Sequence, residues 1–443
     1  MKKIVIAGFG SAGYAALMAV KKGGSGAQIT VIDPKETDLV HPCGIPYAIE
    51  GVVDGEKLTQ DISLGRMGVT RERGRVISID QSGKRVVFAD SESEKSVEYD
   101  ILILCPGNKP VIPGIKGIDR AIPQKLHTVA TVGDFMGIRT SISSSKSAIV
   151  IGAGAIGLET AFALKRSLPE VTIVEMRDQV LPGILDPDMS APVEQYLSES
   201  GINLLKSRTV TEITGGDCFA GIVADGESIA ADMGILSAGF RPNTDAAIAS
   251  GISCGRYGIN VNDRLETSIP GIFAAGDAVS GWSVIDGKPI PAKLATSAYK
   301  QGSVAGANAA GGNAVYRGSA ATFVTRAGGL EIAGTGFTTA VSSERGFDPV
   351  SGKIKSGILP DYFPGGGEIS IKVIFDRASG KILGAQAVGE GAAHRVNIIS
   401  AAIEFGVPIE DLGRLEMAYC PAVSEVYDPL MRAVDFGLRR IRK

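Results

Sequence analysis

One cysteine, Cys43, stands in a stretch whose residue types could support redox chemistry. The stretch from His41 to Gly51 reads HPCGIPYAIEG, with a glycine directly after the cysteine and Pro46 three residues on. Because proline is tolerated in the first turn of a helix, IPYAIEG is predicted to begin one. A thiol at the start of a helix ionises more readily, and the thiolate is the reactive form. The alternative is that Cys43 serves as a small buried hydrophobic residue, the usual fate of a free cysteine.

The elements that must position such a thiol begin with a glycine-rich turn near the start of the chain. The run KKIVIAGFGSAG predicts a strand, a G-x-G-x-x-G turn and a helix from Tyr14 to Lys22, followed by the strand ITVID. In this motif the glycines permit a tight turn, close approach of a diphosphate and close packing of the helix, while the terminal acid binds a ribose. The residues predicted to bind this first dinucleotide are Gly8, Gly10, Ser11, Ala12, Gly13, Asp33 and Pro34.

The same pattern returns in SAIVIGAGAIGLETAFAL and the strand VTIVE, which ends in Glu175. Two copies predict two dinucleotide sites, most simply FAD and a nicotinamide nucleotide. An acid at Glu175 accepts ribose hydroxyls and repels a 2′-phosphate, which favours NADH; Arg177 nearby keeps NADPH as the alternative. The residues predicted to bind the second dinucleotide are Gly152, Gly154, Ile156, Gly157, Glu159 and Glu175.

The remaining segments predict the fold class. YDILILCPGNKPVIPGIKG reads as a buried strand and a crossover, and TSIPGIFAAGDAV as a strand that ends near Gly276 and Asp277. From about Phe323 the chain alternates strands (EISIKVIFD, KILGAQAVG) and then helices (VNIISAAIEFG, VYDPLMRAVDFGLRRIRK). We therefore predict an α/β protein with two Rossmann-like dinucleotide-binding domains and a C-terminal α+β domain.

Composition excludes several other classes. The net charge of −3 leaves no basic footprint for nucleic acid, and no apolar run is long enough to span a membrane. The five cysteines are scattered, without the spacing of a disulfide framework or a metal site, so a reducing cytoplasm is expected. Cys105, Cys218 and Cys254 are interpreted as structural residues.

Together these motifs resemble the flavin-dependent pyridine nucleotide-disulfide oxidoreductases. The resemblance implies FAD at the first fingerprint, NAD at the second and a homodimer. It implies an FAD domain of residues 1–117 and 246–320, an NAD(P) domain of residues 118–245 and a dimerisation domain of residues 321–443. In IFAAGDA, Asp277 would hold the ribityl chain of FAD, and Glu159 would face the nicotinamide side. Further cofactor contacts are implied for Gly107 in YDILILCPG, Gly239 in ILSAGFRPNT and Gly276.

The position of the cysteine indicates a branch of this family. The dithiol members have a second cysteine five residues on, where this chain has Ala48. C-G-[IL]-P-Y is similar to the branch of coenzyme A-disulfide reductases, NADH-dependent persulfide and polysulfide reductases, and NADH oxidases. DYFPGG and AYCPAVSEVYDPL resemble two further signatures of that branch, in which tyrosines matching Tyr362 and Tyr419 reach the partner subunit's cysteine. Cys420 stands where that branch usually has alanine. It is either a resolving thiol or a residue that only occupies the space of the alanine.

The resemblance implies an FAD-dependent NAD(P)H oxidoreductase that reduces a small disulfide, persulfide or polysulfide through Cys43. A coenzyme A-type thiol would be the substrate or a bound thiol, and the active site would be shared across the dimer. Two alternatives stay open. One is an NADH oxidase that reduces oxygen at the flavin, with Cys43 cycling through a sulfenic acid. The other is a redox-sensing or electron-delivery protein that docks on another protein.

Overall fold

The computed structural model describes residues 1–24, 26–122, 124–291 and 293–441, which form two compact units. The first unit comprises Met1–Pro42, Glu56–Val111 and Phe240–Ser319. The second comprises Cys43–Gly55, Ile112–Gly239 and Ala320–Lys443. Because the second unit joins the predicted NAD(P) and C-terminal domains, the division at residues 117, 245 and 320 stays a prediction.

The first unit is built on a five-stranded parallel sheet. Its strands are nearly all buried on both faces, because helices cover one face and a small antiparallel sheet covers the other. The parallel strands, in spatial order, are Ile272–Ala274, Ile101–Leu104, Lys3–Ala7, Gln28–Asp33 and Val69–Arg73. The small sheet consists of Arg75–Asp80, Arg85–Ala89 and Glu94–Glu98.

Two helices of the first unit pack so closely that their backbones are in contact. They are the first-fingerprint helix, Ser11–Lys22, and the helix Ala295–Ala309. A Cβ at Gly302 would lie 2.1 Å from the carbonyl oxygen of Ala12, and one at Gly306 would lie 2.3 Å from that of Ala16. The glycines therefore let the two backbones touch, which fixes the N-terminus of the first-fingerprint helix.

The second unit contains another five-stranded parallel sheet. Its strands, in spatial order, are Leu126–His127, Met233–Leu236, Ser147–Ile151, Glu170–Val174 and Asn203–Leu205. The helices of this part are Ile118–Ala121, Val132–Ile142, the second-fingerprint helix Ala155–Lys165, and Pro187–Glu199. An antiparallel sheet of Val210–Thr214, Gly221–Ala224 and Glu227–Ala230 completes it.

The last part of the second unit is an antiparallel sheet covered by helices. The strands, in spatial order, are Phe323–Ala327, Leu330–Gly336, Ile382–Gly389, Glu368–Asp376 and Pro349–Gly357. The helices are Thr339–Glu344, Ala392–Glu404, Ile409–Leu412 and Pro429–Ile441. Buried Lys372 of this sheet lies 2.9 Å from both Asp186 and Asp188, at the start of the helix Pro187–Glu199. Since removing one partner would leave a buried charge, this cluster ties the sheet to that helix.

The remaining elements are short. They include the two-stranded pairs Leu39–Val40 with Thr59–Gln60, Asn108–Pro110 with Phe240–Pro242, Cys254–Gly255 with Gly258–Ile259, and Ser280–Trp282 with Pro289–Pro291. The short helical turns are Pro42–Gly44, Ile45–Ile49, Gly55–Leu58, Leu64–Met67 and Asp245–Ala249. Within the described ranges, none of the helices combines the length and apolar character needed to cross a bilayer.

Three predicted helix starts were wrong, among them that of the helix Ala392–Glu404, which was predicted to begin at Val396. The first-fingerprint helix begins at Ser11 and not at Tyr14, because the last glycine of the turn already lies in its first turn. The C-terminal helix begins at Pro429 and not at Val426. There, Asp428 accepts a hydrogen bond from the backbone N–H of Leu430 and two from buried Arg395, so the chain turns before the helix begins.

We expect Gly302→Ala to lower the stability of the first unit by about 1–3 kcal/mol, because the added methyl overlaps a backbone oxygen that cannot move aside. The measurement is the midpoint of thermal unfolding. Gly65→Ala is the matched control, since a Cβ at Gly65 has nothing within 4 Å. Its effect should stay within about 0.5 kcal/mol. Equal midpoints for both variants would contradict this packing.

Candidate cofactor and thiol sites

The two fingerprints fold in the same way at their first glycine. Gly8 has φ +96° and Gly152 has φ +107°, a backbone conformation that favours glycine. A Cβ would lie 2.0 Å from the carbonyl oxygen of Cys105 in the first case and 2.5 Å from that of Ser237 in the second. Each turn is therefore pressed against the neighbouring strand's end, where a side chain could not fit.

The other glycines of each fingerprint divide into packed and open positions. A Cβ at Gly13 would lie 2.2 Å from the Gly8 oxygen, and one at Gly157 would lie 2.1 Å from the Gly152 oxygen. Gly10 and Gly154, by contrast, have nothing within 4 Å of a Cβ. These two open glycines directly precede the helices at Ser11 and Ala155, so each N-terminus offers a cradle that a diphosphate fits.

The acid that ends each second strand is held by the glycine turn itself. Asp33 accepts hydrogen bonds from the backbone N–H groups of Phe9 (2.6 Å) and Lys35 (2.9 Å). Glu175 accepts from those of Ala153 (2.7 Å) and Arg177 (2.8 Å). Both carboxylates are buried and keep further lone pairs, which ribose hydroxyls could use. Pro34 follows Asp33 on the exposed side.

The second predicted FAD segment lies against the first fingerprint. Gly276 has φ +86°, and a Cβ there would lie 2.9 Å from the Cβ of Ala12. Burial raises the pKa of the next residue, Asp277, to about 6, although Lys293 acts in the opposite direction. Asn108 donates a 2.6 Å hydrogen bond to the Asp277 carboxylate. Gly107, just before it, has φ +67° and open space around it.

These observations fit a dinucleotide at each fingerprint. Each has an open glycine cradle at a helix N-terminus and a buried acid bonded to the turn. In the first unit, Gly8, Ala12, Gly13 and Gly276 are brought together. The residues that would hold FAD are thus the first fingerprint, Asp33 and Asp277, and those that would hold NAD(P)H are the second fingerprint and Glu175.

The second-fingerprint helix carries the residue predicted to face the nicotinamide. Glu159 is half-buried and accepts a 2.5 Å hydrogen bond from the hydroxyl of Thr325. Burial raises the pKa of Glu159, and the Thr325 bond opposes that rise. Ile156 lies half-buried in the first turn of this helix. Gly239 has φ +94°, and beyond its chain neighbours no described residue lies within 4 Å of a Cβ placed there.

Cys43 is exposed next to the N-terminus of a short helix. It lies in the turn Pro42–Gly44, directly before the helix Ile45–Ile49, which has Pro46 in its first turn as predicted. This helix packs against the second-fingerprint helix. Burial raises the pKa of Tyr47, one turn after Cys43, and the nearby Glu159 raises it further.

The other cysteines differ from Cys43 in their surroundings. Cys105 is fully buried, and burial raises the pKa of its thiol to about 12, so it stays protonated at neutral pH. Burial also raises the pKa of Cys254, which is half-buried. Cys218 and Cys420 are exposed.

The two predicted tyrosines meet. The hydroxyls of Tyr362 and Tyr419 lie 3.0 Å apart, although 57 residues separate them in the chain. This hydrogen bond raises the pKa of Tyr419. Cys420 follows Tyr419 and begins a turn. The backbone carbonyl oxygen of Cys420 accepts hydrogen bonds from the backbone N–H groups of Val423 and Ser424.

Several exposed apolar side chains lie close to Tyr419 in the sequence. Tyr362 is 74% exposed, Val423 71% and Val426 67%. Leu415, Tyr419, Tyr427 and Phe436 are also exposed. Where such residues form a contiguous patch, the patch is typical of a surface that another protein covers.

Sequence reasoning did not identify two residues that contact the candidate site. Asn108 bonds Asp277 and Thr325 bonds Glu159, across 169 and 166 residues of sequence. A weak signal existed for Asn108 alone, because it directly follows the Cys-Pro-Gly that ends a buried strand, at the sheet edge where ligands bind.

Comparison with known proteins agrees with this geometry. The family model "Pyridine nucleotide-disulphide oxidoreductase" matches residues 2–302, and the dimerisation domain of the same family matches residues 320–431. An NADH oxidase of Methanocaldococcus jannaschii is 36% identical over 451 residues, covering 99% of each chain. An NAD(P)H sulfur oxidoreductase (CoA-dependent) of Pyrococcus furiosus is 32% identical over 437 residues, covering 97% of this chain and 98% of that protein.

A solved structure extends the similarity to three dimensions. The NAD-dependent persulfide reductase from A. fulgidus superposes with a TM-score of 0.94 and 32% sequence identity, covering 99% of this chain and 83% of that one. The predicted fold class is confirmed, and so are FAD and NAD(P)H as the cofactors. The chain belongs to the pyridine nucleotide-disulphide oxidoreductase family, and it contains that family's dimerisation domain.

Proposed function

We propose that this chain is an FAD-dependent NAD(P)H reductase of small disulfides, persulfides or polysulfides, with Cys43 as its redox thiol. The observation that carries the proposal is the exposed Cys43 directly before a short helix, in a chain whose two fingerprints fit two dinucleotides. A thiol that is exposed and stands at the start of a helix is accessible to a small sulfur compound.

The thiol step balances without a second protein cysteine. The Cys43 thiolate attacks R–S–S–R′, forms Cys43–S–S–R and expels R′–S⁻, which takes up a proton. Two electrons and one proton then convert Cys43–S–S–R to the Cys43 thiolate and R–SH. The flavin supplies the chemistry that relays these two electrons from the nicotinamide to sulfur. A persulfide R–S–SH reacts in the same way and releases HS⁻.

A coenzyme A-type thiol is our candidate for R. The sequence puts Ala48 where dithiol reductases have their second cysteine, so that position offers no second thiol and the substrate can supply the other sulfur. The P. furiosus relative is named as CoA-dependent, and the A. fulgidus protein as a persulfide reductase. Both names support a small sulfur compound as the acceptor.

The nicotinamide nucleotide is proposed to be NADH in preference to NADPH. The Glu175 carboxylate is buried; one of its oxygens accepts from the backbone N–H of Ala153 in the glycine turn, and the other accepts from that of Arg177. A 2′-phosphate beside it would meet a negative charge of the same sign, whereas ribose hydroxyls would donate to it.

The homodimer completes the thiol site in this proposal. Tyr362 and Tyr419 of one subunit would hydrogen-bond the Cys43 thiolate of the other, or protonate the departing thiolate. Their mutual 3.0 Å hydrogen bond and the exposed apolar residues close to Tyr419 in the sequence support a surface that the second subunit covers. Cys420, next to Tyr419, is proposed as a resolving thiol in the same surface.

An NADH oxidase is the second candidate function. It is favoured by the M. jannaschii relative, which carries that name and is 36% identical to this chain. In that reaction oxygen takes up two electrons and two protons and becomes hydrogen peroxide, which oxidises the Cys43 thiolate to a sulfenic acid and leaves as hydroxide. Two further electrons and one proton convert the sulfenic acid back to the thiolate and water.

Turnover of NADH without oxygen tests the main proposal. Wild type should oxidise NADH anaerobically when coenzyme A disulfide or polysulfide is added. The rate of Cys43→Ser should be more than about 10³-fold lower than that of wild type, because a serine hydroxyl is not ionised at neutral pH. The assay follows NADH absorbance.

Cys218→Ser is the matched control, because Cys218 is also exposed and lies outside the proposed site. It should turn over like wild type. If wild type oxidises NADH only when oxygen is present, the reductase proposal fails and the oxidase takes its place. If neither acceptor supports turnover, both fail.

The tyrosine pair has its own test. Tyr419→Phe should slow turnover with the sulfur acceptor by about 10²-fold, the low end for loss of a general acid. Reduction of the flavin by NADH should stay unchanged, because it precedes the thiol step. Tyr427→Phe is the control, since Tyr427 lies in the same region and is equally exposed, at 45%. Equal rates for the two variants would remove Tyr419 from the mechanism.

A further inference from the structure

A side-chain hydrogen bond joins the ends of two neighbouring strands in the first unit. Asn108 lies beyond the strand Ile101–Leu104, and Asp277 lies beyond its parallel neighbour Ile272–Ala274. The Nδ2 of Asn108 donates a 2.6 Å hydrogen bond to Oδ2 of the Asp277 carboxylate. Since an ionised carboxylate only accepts, this bond fixes which way the Asn108 amide faces. Oδ1 of Asp277 has no hydrogen-bond partner among the residues that the structure describes.

The two residues lie at the edge of the sheet where open α/β sheets bind their ligands. The strand Lys3–Ala7 has Gln28–Asp33 on one side and Ile101–Leu104 on the other. The strand order therefore changes direction beside Lys3–Ala7, and ligands bind at the carboxyl ends of the strands at such a switch point. The first fingerprint follows Lys3–Ala7 at this edge. Gly276 reaches it, because a Cβ there would lie 2.9 Å from the Cβ of Ala12 in the fingerprint helix.

Open space reaches this pair of side chains. Asn108 and Asp277 are both half-buried, so each keeps part of its surface accessible. Gly107 directly precedes Asn108, and beyond its chain neighbours no described residue lies within 4 Å of a Cβ placed there. A ligand at the switch point could therefore approach the Asp277 carboxylate.

The charge of Asp277 depends on its surroundings. Burial raises the pKa of Asp277 to about 6, and the positive charge of Lys293 acts in the opposite direction. The Nζ of Lys293 donates to the carbonyl oxygen of Phe240. A hydrogen bond from Asn108 favours the ionised carboxylate, so its loss would raise the pKa of Asp277 further.

We propose that Asn108 is a positioning residue for FAD, which keeps the Asp277 carboxylate ionised and leaves its Oδ1 available to a hydroxyl of the ribityl chain. An ionised carboxylate accepts stronger hydrogen bonds from hydroxyls than a neutral acid does. The proposal rests on FAD as the cofactor and on Asp277 as its ligand. It is independent of the sulfur acceptor, because its test measures FAD release and not turnover.

The test follows FAD release from the full-length holoenzyme as a function of pH. Each holoenzyme is diluted at a series of pH values between about 5 and about 8, and the rise in flavin fluorescence is recorded. Wild type should release FAD faster as the pH falls through the pKa of Asp277, because the protonated acid binds hydroxyls less strongly. Asn108→Ala should release FAD at least about fivefold faster than wild type at neutral pH. Its acceleration should also begin about one pH unit higher.

Asn243→Ala is the matched control. Asn243 directly follows Phe240–Pro242, the strand that pairs with the strand containing Asn108. Its Nδ2 also donates to an oxygen across this pair, but to the carbonyl oxygen of Pro106, at 2.9 Å. Its FAD release should stay within about twofold of wild type at every pH, because this bond does not involve Asp277.

Three results would overturn the proposal. Asn108→Ala could release FAD like wild type at every pH, or faster by the same factor at every pH, which would indicate a purely structural role. Asn243→Ala could behave like Asn108→Ala, which would show that loss of any amide bond in this pair of strands has the effect. Thermal midpoints with saturating FAD show whether each variant folds. If Asn108→Ala does not, Asn108→Leu, which fills similar space without a donor, decides by the same comparison.

Discussion

The structure depends on a hydrogen bond that occurs twice, between a glycine turn and the acid that ends the next strand. The Phe9 N–H donates to Asp33, and the Ala153 N–H donates to Glu175. Each bond holds the turn in the shape that leaves Gly10 or Gly154 open. Because the same carboxylate would bind the ribose, the group that stabilises the turn also recognises the ligand. Losing either acid would therefore disturb both the turn and the ligand.

A second constraint follows from close backbone packing. Gly8 touches the strand end at Cys105, and Gly302 touches the first-fingerprint helix at Ala12. Burial raises the pKa of the Cys105 thiol to about 12, so Cys105 serves as a packing residue at this contact. Cys43, Cys218 and Cys420 are exposed, and of these Cys43 lies directly before a short helix, where we propose that it reacts with the substrate.

Much of this arrangement could be predicted from sequence, because it is local. Both glycine turns, their acids and the helix after Cys43 are encoded within short stretches, and the structure has them there. The bonds from Asn108 to Asp277 and from Thr325 to Glu159 could not be predicted, since they join residues 169 and 166 positions apart. Such contacts form only when distant segments are brought together in the folded protein. The presence of a hydroxyl or an amide in the sequence does not indicate which residue it will bond.

In the proposed mechanism, Cys43 holds a reducible sulfur that exchanges electrons with the flavin. The first experiment to do is an anaerobic titration of purified wild type and Cys43→Ser with NADH, followed by flavin absorbance. We expect wild type to take up about two NADH per flavin and the variant about one, because a sulfur couple accepts two further electrons. Uptake of one NADH per flavin by both proteins would contradict it, and a flavin-only oxidase would then be the better account.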